Sequence, residues 1–138
     1  MLRLHNVIFC DDIRNEINNK LSLIGMYDDR IIFRSHDAKK IKWPIPQPLA
    51  ILLRFNLKAE DEHPDRFIFE YILNEKSIAK INGTINKIEK LHASFNLSLR
   101  GQGIPLAPGN LGFRIELFNG EKLLLSEDNE QALKIMQE

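Results

Sequence analysis

Along most of this chain, apolar and polar residues take turns. Leu91, Ala93, Phe95, Leu97 and Leu99 alternate with His92, Ser94, Asn96, Ser98 and Arg100. Successive side chains of an extended strand point to opposite faces, so this run predicts one face in a core and one in water. Phe67, Phe69, Tyr71 and Leu73 share a face within residues 67–74. Ile51, Leu53, Phe55 and Leu57 form another, with Arg54, Asn56 and Lys58 opposite. Residues 111–118 follow the same rule, as do residues 20–27 through Leu21, Leu23 and Gly25. Weaker runs cover residues 2–10, 30–33, 77–85 and 121–126.

Turn-forming residues separate the runs. Asn119-Gly120, between two apolar segments, is the strongest hairpin signal. Asp28-Asp29, Asn18-Asn19 and Asn82-Gly83 are further turn candidates. About eight to nine short strands at this spacing predict an all-β, antiparallel β-sandwich, immunoglobulin-like or C2-like. One helix is expected, over residues 128–137, where Ala132, Leu133 and Met136 would make a small apolar stripe. Trp43-Pro44-Ile45-Pro46-Gln47-Pro48 should be extended, because alternate prolines fix φ and remove backbone donors. Gly25 inside a strand predicts a bulge or a close backbone approach.

If every connection reverses the chain, the loops sort into two ends. Residues 11–19, 34–48 and 101–110 fall at one end. Asp28-Asp29, residues 59–66 and 86–90, and Asn119-Gly120 fall at the other. Long loops on a rigid sheet are where binding residues are commonly mounted.

Composition bounds the function. The 138 residues read as a single domain, residues 1–138, and the 43% apolar share suffices for one core without disulfide or metal. Nineteen basic and nineteen acidic residues cancel, so no global field draws in nucleic acid or an anionic membrane, and neither partner is expected. Cys10 is the only cysteine, which excludes an internal disulfide. The first apolar run, residues 7–10, is too short for a signal sequence, and no run approaches the ~18 residues of a membrane span. The expectation is a cytoplasmic protein.

Candidate chemistry is sparse. Cys10 precedes Asp11 and Asp12, whose charges oppose a thiolate, so a structural thiol is the simpler reading. His5, His36, His63 and His92 lack metal-ligand spacing. Gly101-Gln102-Gly103 is followed by neither a helix nor a Lys-Ser/Thr pair, so no phosphate loop and no cofactor is implied. Lys39, Lys40 and Lys42 beside Trp43 could serve single-stranded nucleic acid, but an edge strand guarded by lysines explains them as well.

The segment Phe9-Cys10-Asp11-Asp12-Ile13-Arg14-Asn15-Glu16, then Asn18-Asn19-Lys20-Leu21-Ser22-Leu23-Ile24-Gly25-Met26-Tyr27, is distinctive. It resembles the opening block of a bacterial family of small proteins built around a domain of unknown function. The resemblance is sharp over about the first 27 residues and implies a β-sandwich without assigning an activity. Read physically, Asp12 can accept from following amides, and Arg14 and Glu16 share a side of an extended segment and can pair.

Three functions are consistent with these residues. The first is a non-enzymatic binding or adaptor module that meets a protein partner through Asp12, Arg14, Glu16 and Trp43. The second is a calcium-dependent sandwich using the acidic end: Asp28, Asp29, Glu60, Asp61, Glu62 and Asp65. The third is a metal-dependent hydrolase using Asp11, Asp12 and Glu16. Exposed edge strands could also pair two copies into a dimer.

Overall fold

The computed structural model describes residues 1–34, 41–88 and 93–138. His36, Lys39, Lys40, Leu91 and His92 lie outside the described residues. Within them the alternating runs become nine strands: β1 Arg3–Glu16, β2 Lys20–Met26, β3 Arg30–Phe33, β4 Ile45–Asn56, β5 Arg66–Leu73, β6 Lys76–Thr84, β7 Ser94–Leu106, β8 Gly109–Asn119 and β9 Lys122–Gln137. They form two sheets, ordered β2-β1-β4-β7 and β3-β9-β8-β5-β6. Every pair is antiparallel except β3–β9, which is parallel. The protein is a β-sandwich.

The period-two faces meet between the sheets. Leu49, Ile51, Leu53 and Phe55 of β4 and Leu97 and Leu99 of β7 are buried against Phe67, Phe69 and Tyr71 of β5 and Leu111, Phe113, Ile115 and Leu117 of β8. Burial of each such side chain stabilises by roughly 1.5–3 kcal/mol, which makes this interface the dominant favourable contribution. A polar link crosses it: the Tyr71 hydroxyl donates to the Leu49 carbonyl at 2.8 Å. That carbonyl sits beside the register shift between β4 and β7. Burial pushes the Tyr71 phenol well above its ordinary value, so it remains a donor.

Several turn expectations need correcting. Residues 128–137 are not a helix but the second half of β9. Leu133 and Ile135 alternate into the core, at 3% and 1% exposure, while Met136 pairs with Ile32 on the outer face. The tail gains ladder partners on both sides there, β8 and β3, which a terminal helix would forgo. The alternation is disguised because three residues, Glu130 to Ala132, stand opposite the single Gly112. Residues 101–110 are likewise no long loop: β7 runs to Leu106 and β8 begins at Gly109, with one bulge at Gln102 and Gly103. Asn82-Gly83 lies inside β6, where Gly83 leaves room for the Phe67 ring, 3.1 Å from where a Cβ would stand. The β5–β6 hairpin turns instead at Asn74-Glu75, both with positive φ. At the other strong signal, Asn119 pairs with Lys122, so the turn residues are Gly120-Glu121.

The β1–β2 ribbon has an unexpected course. Residues 11–16 are strand rather than loop. Ala50 lies on the face of β4 away from the main core, yet it is 1% exposed. What covers it is the ribbon: Cys10, Ile13, Leu21 and Leu23 pack with Ala50 and Leu52 in a second small apolar cluster. β1 thereby approaches β7 directly, although β4 lies between them in the sheet. Arg100 of β7 reaches over Ala50, its guanidinium donating to the Ile13 carbonyl through Nε at 2.6 Å and through a second nitrogen. It also lies 3.4 Å from the Asp12 carboxylate. Cys10, Ala50 and Arg100 are register partners across the three strands, so only a small side chain at position 50 lets the arginine cross.

Candidate functional site

Because the ribbon folds outward, one side of the sandwich stays open. β2 pairs with β1 only from Cys10 onward, and β3 pairs with β9 only from Lys134 onward. Residues 3–9 of β1 and 122–133 of β9 therefore have a ladder partner on one side alone. Between these edges lies an open cleft of about 540 Å³. Val7, Phe9, Phe113 and Leu133 supply its apolar floor. The Phe9 and Phe113 rings are tilted, with centroids 6.2 Å apart. Around the mouth stand His5, Asp28, Glu127, Asp128 and Asn129.

Both edges are interrupted. β1 shifts register between Leu4 and Asn6, leaving His5 as the extra residue. β9 bulges over residues 130–132, and the Gln131 amide donates to Asn129 Oδ1 at 3.0 Å to hold the bend. Gly112 is required beneath it, since any Cβ there would collide with the backbone of Asn129 and Glu130. Bulges of this kind break the row of unpaired amides that would otherwise template another strand, and they re-aim side chains.

The register identifies what is unusual in the cleft. Leu125 of β9 faces Leu117, Glu127 faces Ile115 and Asn129 faces Phe113. Positions 127 and 129 thus fall on the inward side of the sheet, in line with Leu125, Leu133 and Ile135. Both positions are nonetheless exposed, because β1, over residues 3–9, ends the facing sheet and leaves them over the cleft rather than over the core. Among the described residues Asp28 and Glu127 make no ion pair, whereas Asp29 is bound by Arg30 at 2.9 Å and Asp128, on the outward side of the sheet, stands opposite Arg114.

Tyr27 forms the inner wall. Its amide donates to the Phe9 carbonyl at 2.9 Å, and its hydroxyl donates to Asp11 Oδ1. Burial, then the hydrogen bond and charge of Asp11, push the phenol well above its ordinary value, so it holds its proton. The Asp11 side chain occupies the space where Gly25, at φ 67°, would otherwise carry a Cβ. Gly25 therefore serves the close approach expected of it.

The residues singled out in the sequence separate. Asp12 and Arg14 do come together, 3.7 Å apart, with Arg100 as the third member. Arg14 thus engages Asp12 rather than Glu16. Glu16 lies further along the ribbon, beside a groove against Asn96 and Ser98 of β7. Trp43 is elsewhere, half-buried and edge-on to Phe33 of the other sheet at 5.3 Å. Cys10 is fully buried; desolvation, then Asp11 and Asp12, raise its pKa, as fits a structural thiol.

The acidic residues do not collect into a metal centre. Asp28 and Asp29 follow Tyr27, roughly 20 Å along β1 from the end that carries residues 58–65. There Asp61 accepts from the Lys58 amide at 2.7 Å and pairs with the N-terminus, Glu62 pairs with Lys122, and Asp65 accepts from the Gly120 amide. Asp11 is committed to Tyr27 and Asp12 to two arginines. Among the described residues no group of three or more His, Cys, Asp or Glu could hold a metal ion. Among the described residues no helix is long and apolar enough to cross a membrane.

Compared with protein-family models and with curated proteins, the sequence matches none of them. The cleft residues were missed in the sequence because residues 128–137 read as a helix. Read as a strand, Leu125-x-Glu127-x-Asn129 shows two polar positions in an apolar row.

Proposed function

We propose that this protein is a cytoplasmic binding module, not an enzyme, and that it receives part of a protein partner in the cleft between β1 and β9. The observation that carries the reading is the pair Glu127 and Asn129, polar side chains at inward positions above a floor of Phe9 and Phe113. Concave sites with an apolar floor and a few convergent polar groups are the usual form of a binding pocket. Local rules of packing tend to be broken where function demands it. The Asp12–Arg14–Arg100 cluster, by contrast, has an internal structural task in fastening the ribbon.

A displayed library of random peptides, selected against the full chain and against Ala132→Trp, tests this reading. Ala132 lines the cleft and is partly exposed, so tryptophan there fills it. Peptides retained by the wild type and lost by a variant with unchanged melting temperature are the expected result. Equal retention by both, or no enrichment by either, would overturn the proposal.

A further inference from the structure

The outward faces of the two sheets differ in charge. On the five-stranded sheet, Asp128, Arg114, Glu70 and Lys80 form one register row across four strands, with signs that alternate and cancel. On the four-stranded sheet, the outward positions of β4 from Ala50 to Asn56 and their register partners on β1 and β7 include no carboxylate. Arg54 stands on that face, exposed, with Asn6 and Asn96 as its register neighbours. Its Nε donates to Asn96 Oδ1 at 3.1 Å, which orients the guanidinium. Among the described residues both terminal nitrogens are left for an incoming carboxylate, which a guanidinium holds by two parallel bonds.

Beside Arg54 the ribbon makes a wall. Its β1 half meets Arg100 through Asp12 and Ile13, and its β2 half lies toward Leu52 and Arg54. A hollow of about 420 Å³ runs between β2 and the sheet, with Leu21, Leu23 and Leu52 as its apolar part and Lys20 as a second cation. A smaller one of about 160 Å³ continues it past Leu52 and Arg54 to Ile8. Among the described residues neither is lined by a carboxylate, and Glu16 borders the next hollow, at the ribbon's tip.

The edge of β2 decides the form of the ligand. Other bare edges are interrupted: β1 at His5, β9 at residues 130–132, β6 at Ile78 and β7 at Gln102 and Gly103. β3 is only four residues long. From Lys20 to Ile24, β2 pairs with β1 without a shift, and among the described residues no strand lies on its other side. Gly25, at φ 67°, ends this regular stretch. A regular bare edge accepts an extended chain through backbone hydrogen bonds, and alternate side chains of that chain then reach one face. We infer that this groove binds an extended, acidic segment of a protein partner, added to β2 as a further strand. One carboxylate of the segment lies on Arg54, with an apolar side chain two residues away over Leu52. The site is separate from the cleft, and neither depends on the other.

Amide NMR spectra of the full chain, titrated with the blocked heptapeptide Thr-Val-Thr-Glu-Thr-Val-Thr, test this. Saturable shifts are expected at Leu23, Leu52 and Arg54, with Asn129 and Leu133 of the cleft unmoved. Glutamine in place of the peptide's glutamate, or Arg54→Gln in the protein, should each weaken binding about tenfold, the worth of one charge-assisted bond. The two changes together should cost little more than either alone, and Arg54→Gln should leave the melting temperature unchanged, since Arg54 is exposed. Methylating the peptide's backbone nitrogens on alternate residues should abolish binding in one phase and spare it in the other, because only every second amide of an added strand faces its neighbour. Binding that ignores both charge removals would overturn the acidic ligand, and equal tolerance of both methylation patterns would overturn the added strand. A heparin oligosaccharide or a single-stranded oligonucleotide that shifts the same amides at lower concentration would overturn the assignment of a peptide. Shifts confined to the cleft, or none at millimolar peptide, would overturn the inference and leave the cleft reading to its own test.

Discussion

The two halves of β1 are treated in opposite ways. From Cys10 to Glu16 the strand has β2 beside it, covers Ala50 with Ile13, and has its acidic residue Asp12 held by Arg14 and Arg100. Over residues 3–9 the same strand has a bare edge and borders a cleft whose lining includes Asp28 and Glu127, which make no ion pair among the described residues. The first region has its interactions completed within the chain. The second is built with equal care, through two bulges, a required glycine and a tyrosine–aspartate bond, but Asp28 and Glu127 make no ion pair among the described residues. Charged groups that mutually neutralise are fastening; charged groups preserved without partners over an apolar floor are available for a ligand.

Substitutions can separate the two regions, and the largest effect is expected at the fastened one. Ala50→Leu places a branched side chain between Cys10 and Arg100 and should cost about 1–3 kcal/mol through overpacking. Displacing the ribbon should also open Cys10 to a thiol reagent that the wild type resists, which a colorimetric thiol assay would record. Arg100→Ala removes the bonds to the Ile13 carbonyl. With a half-exposed arginine the loss should be about 1–2 kcal/mol in chemical denaturation, and Arg100→Lys should not restore it, since an ammonium lacks the fork.

Next in size is an alkaline effect that joins the core to the cleft wall. Tyr27 and Tyr71 both have folded-state pKa values raised above the ordinary 10.0. Below pH 10 both are protonated in either state and their contribution is complete. Above it the unfolded chain loses protons first, so stability should fall as pH rises toward the folded values. Tyr27→Phe and Tyr71→Phe should each flatten this fall, as followed by denaturant midpoints between pH 8 and about 11. At neutral pH Tyr71→Phe should cost about 1–2 kcal/mol, because it leaves the buried Leu49 carbonyl without its donor.

The smallest effect on stability should come from the cleft. Glu127→Gln and Asn129→Ala are expected to alter the unfolding free energy by less than about 0.5 kcal/mol, as exposed substitutions commonly do. A cleft substitution that costs as much as Ala50→Leu would mean that these residues fasten the fold and serve no ligand.

How far the sequence could be read follows from what each pattern encodes. Period two revealed the inward faces of β4, β5 and β8, because those strands pair regularly and packing alone chose their residues. It failed in β9, where three residues against Gly112 break the phase and give Ala132, Leu133 and Met136 a spurious helical spacing. It failed again at residues 101–106, where prolines and glycines that normally mark loops instead serve a bulged strand pair. Asp12 and Arg14 were found together because they are neighbours on one strand. Arg100 was not associated with them, since only the ribbon's path over Ala50 brings it there, and no local pattern encodes that path. The cleft was illegible for the same reason: its walls come from β1, the segment after β2, and β9, at opposite ends of the chain.

The most direct measurement is the affinity of a peptide selected on the wild type for two variants of equal stability, Ala132→Trp and Glu16→Ala. Filling the cleft should abolish binding, and trimming the ribbon should leave the dissociation constant within about twofold. Binding that survives Ala132→Trp and is lost in Glu16→Ala would place the partner on the ribbon and contradict the assignment of the open side as the site of recognition.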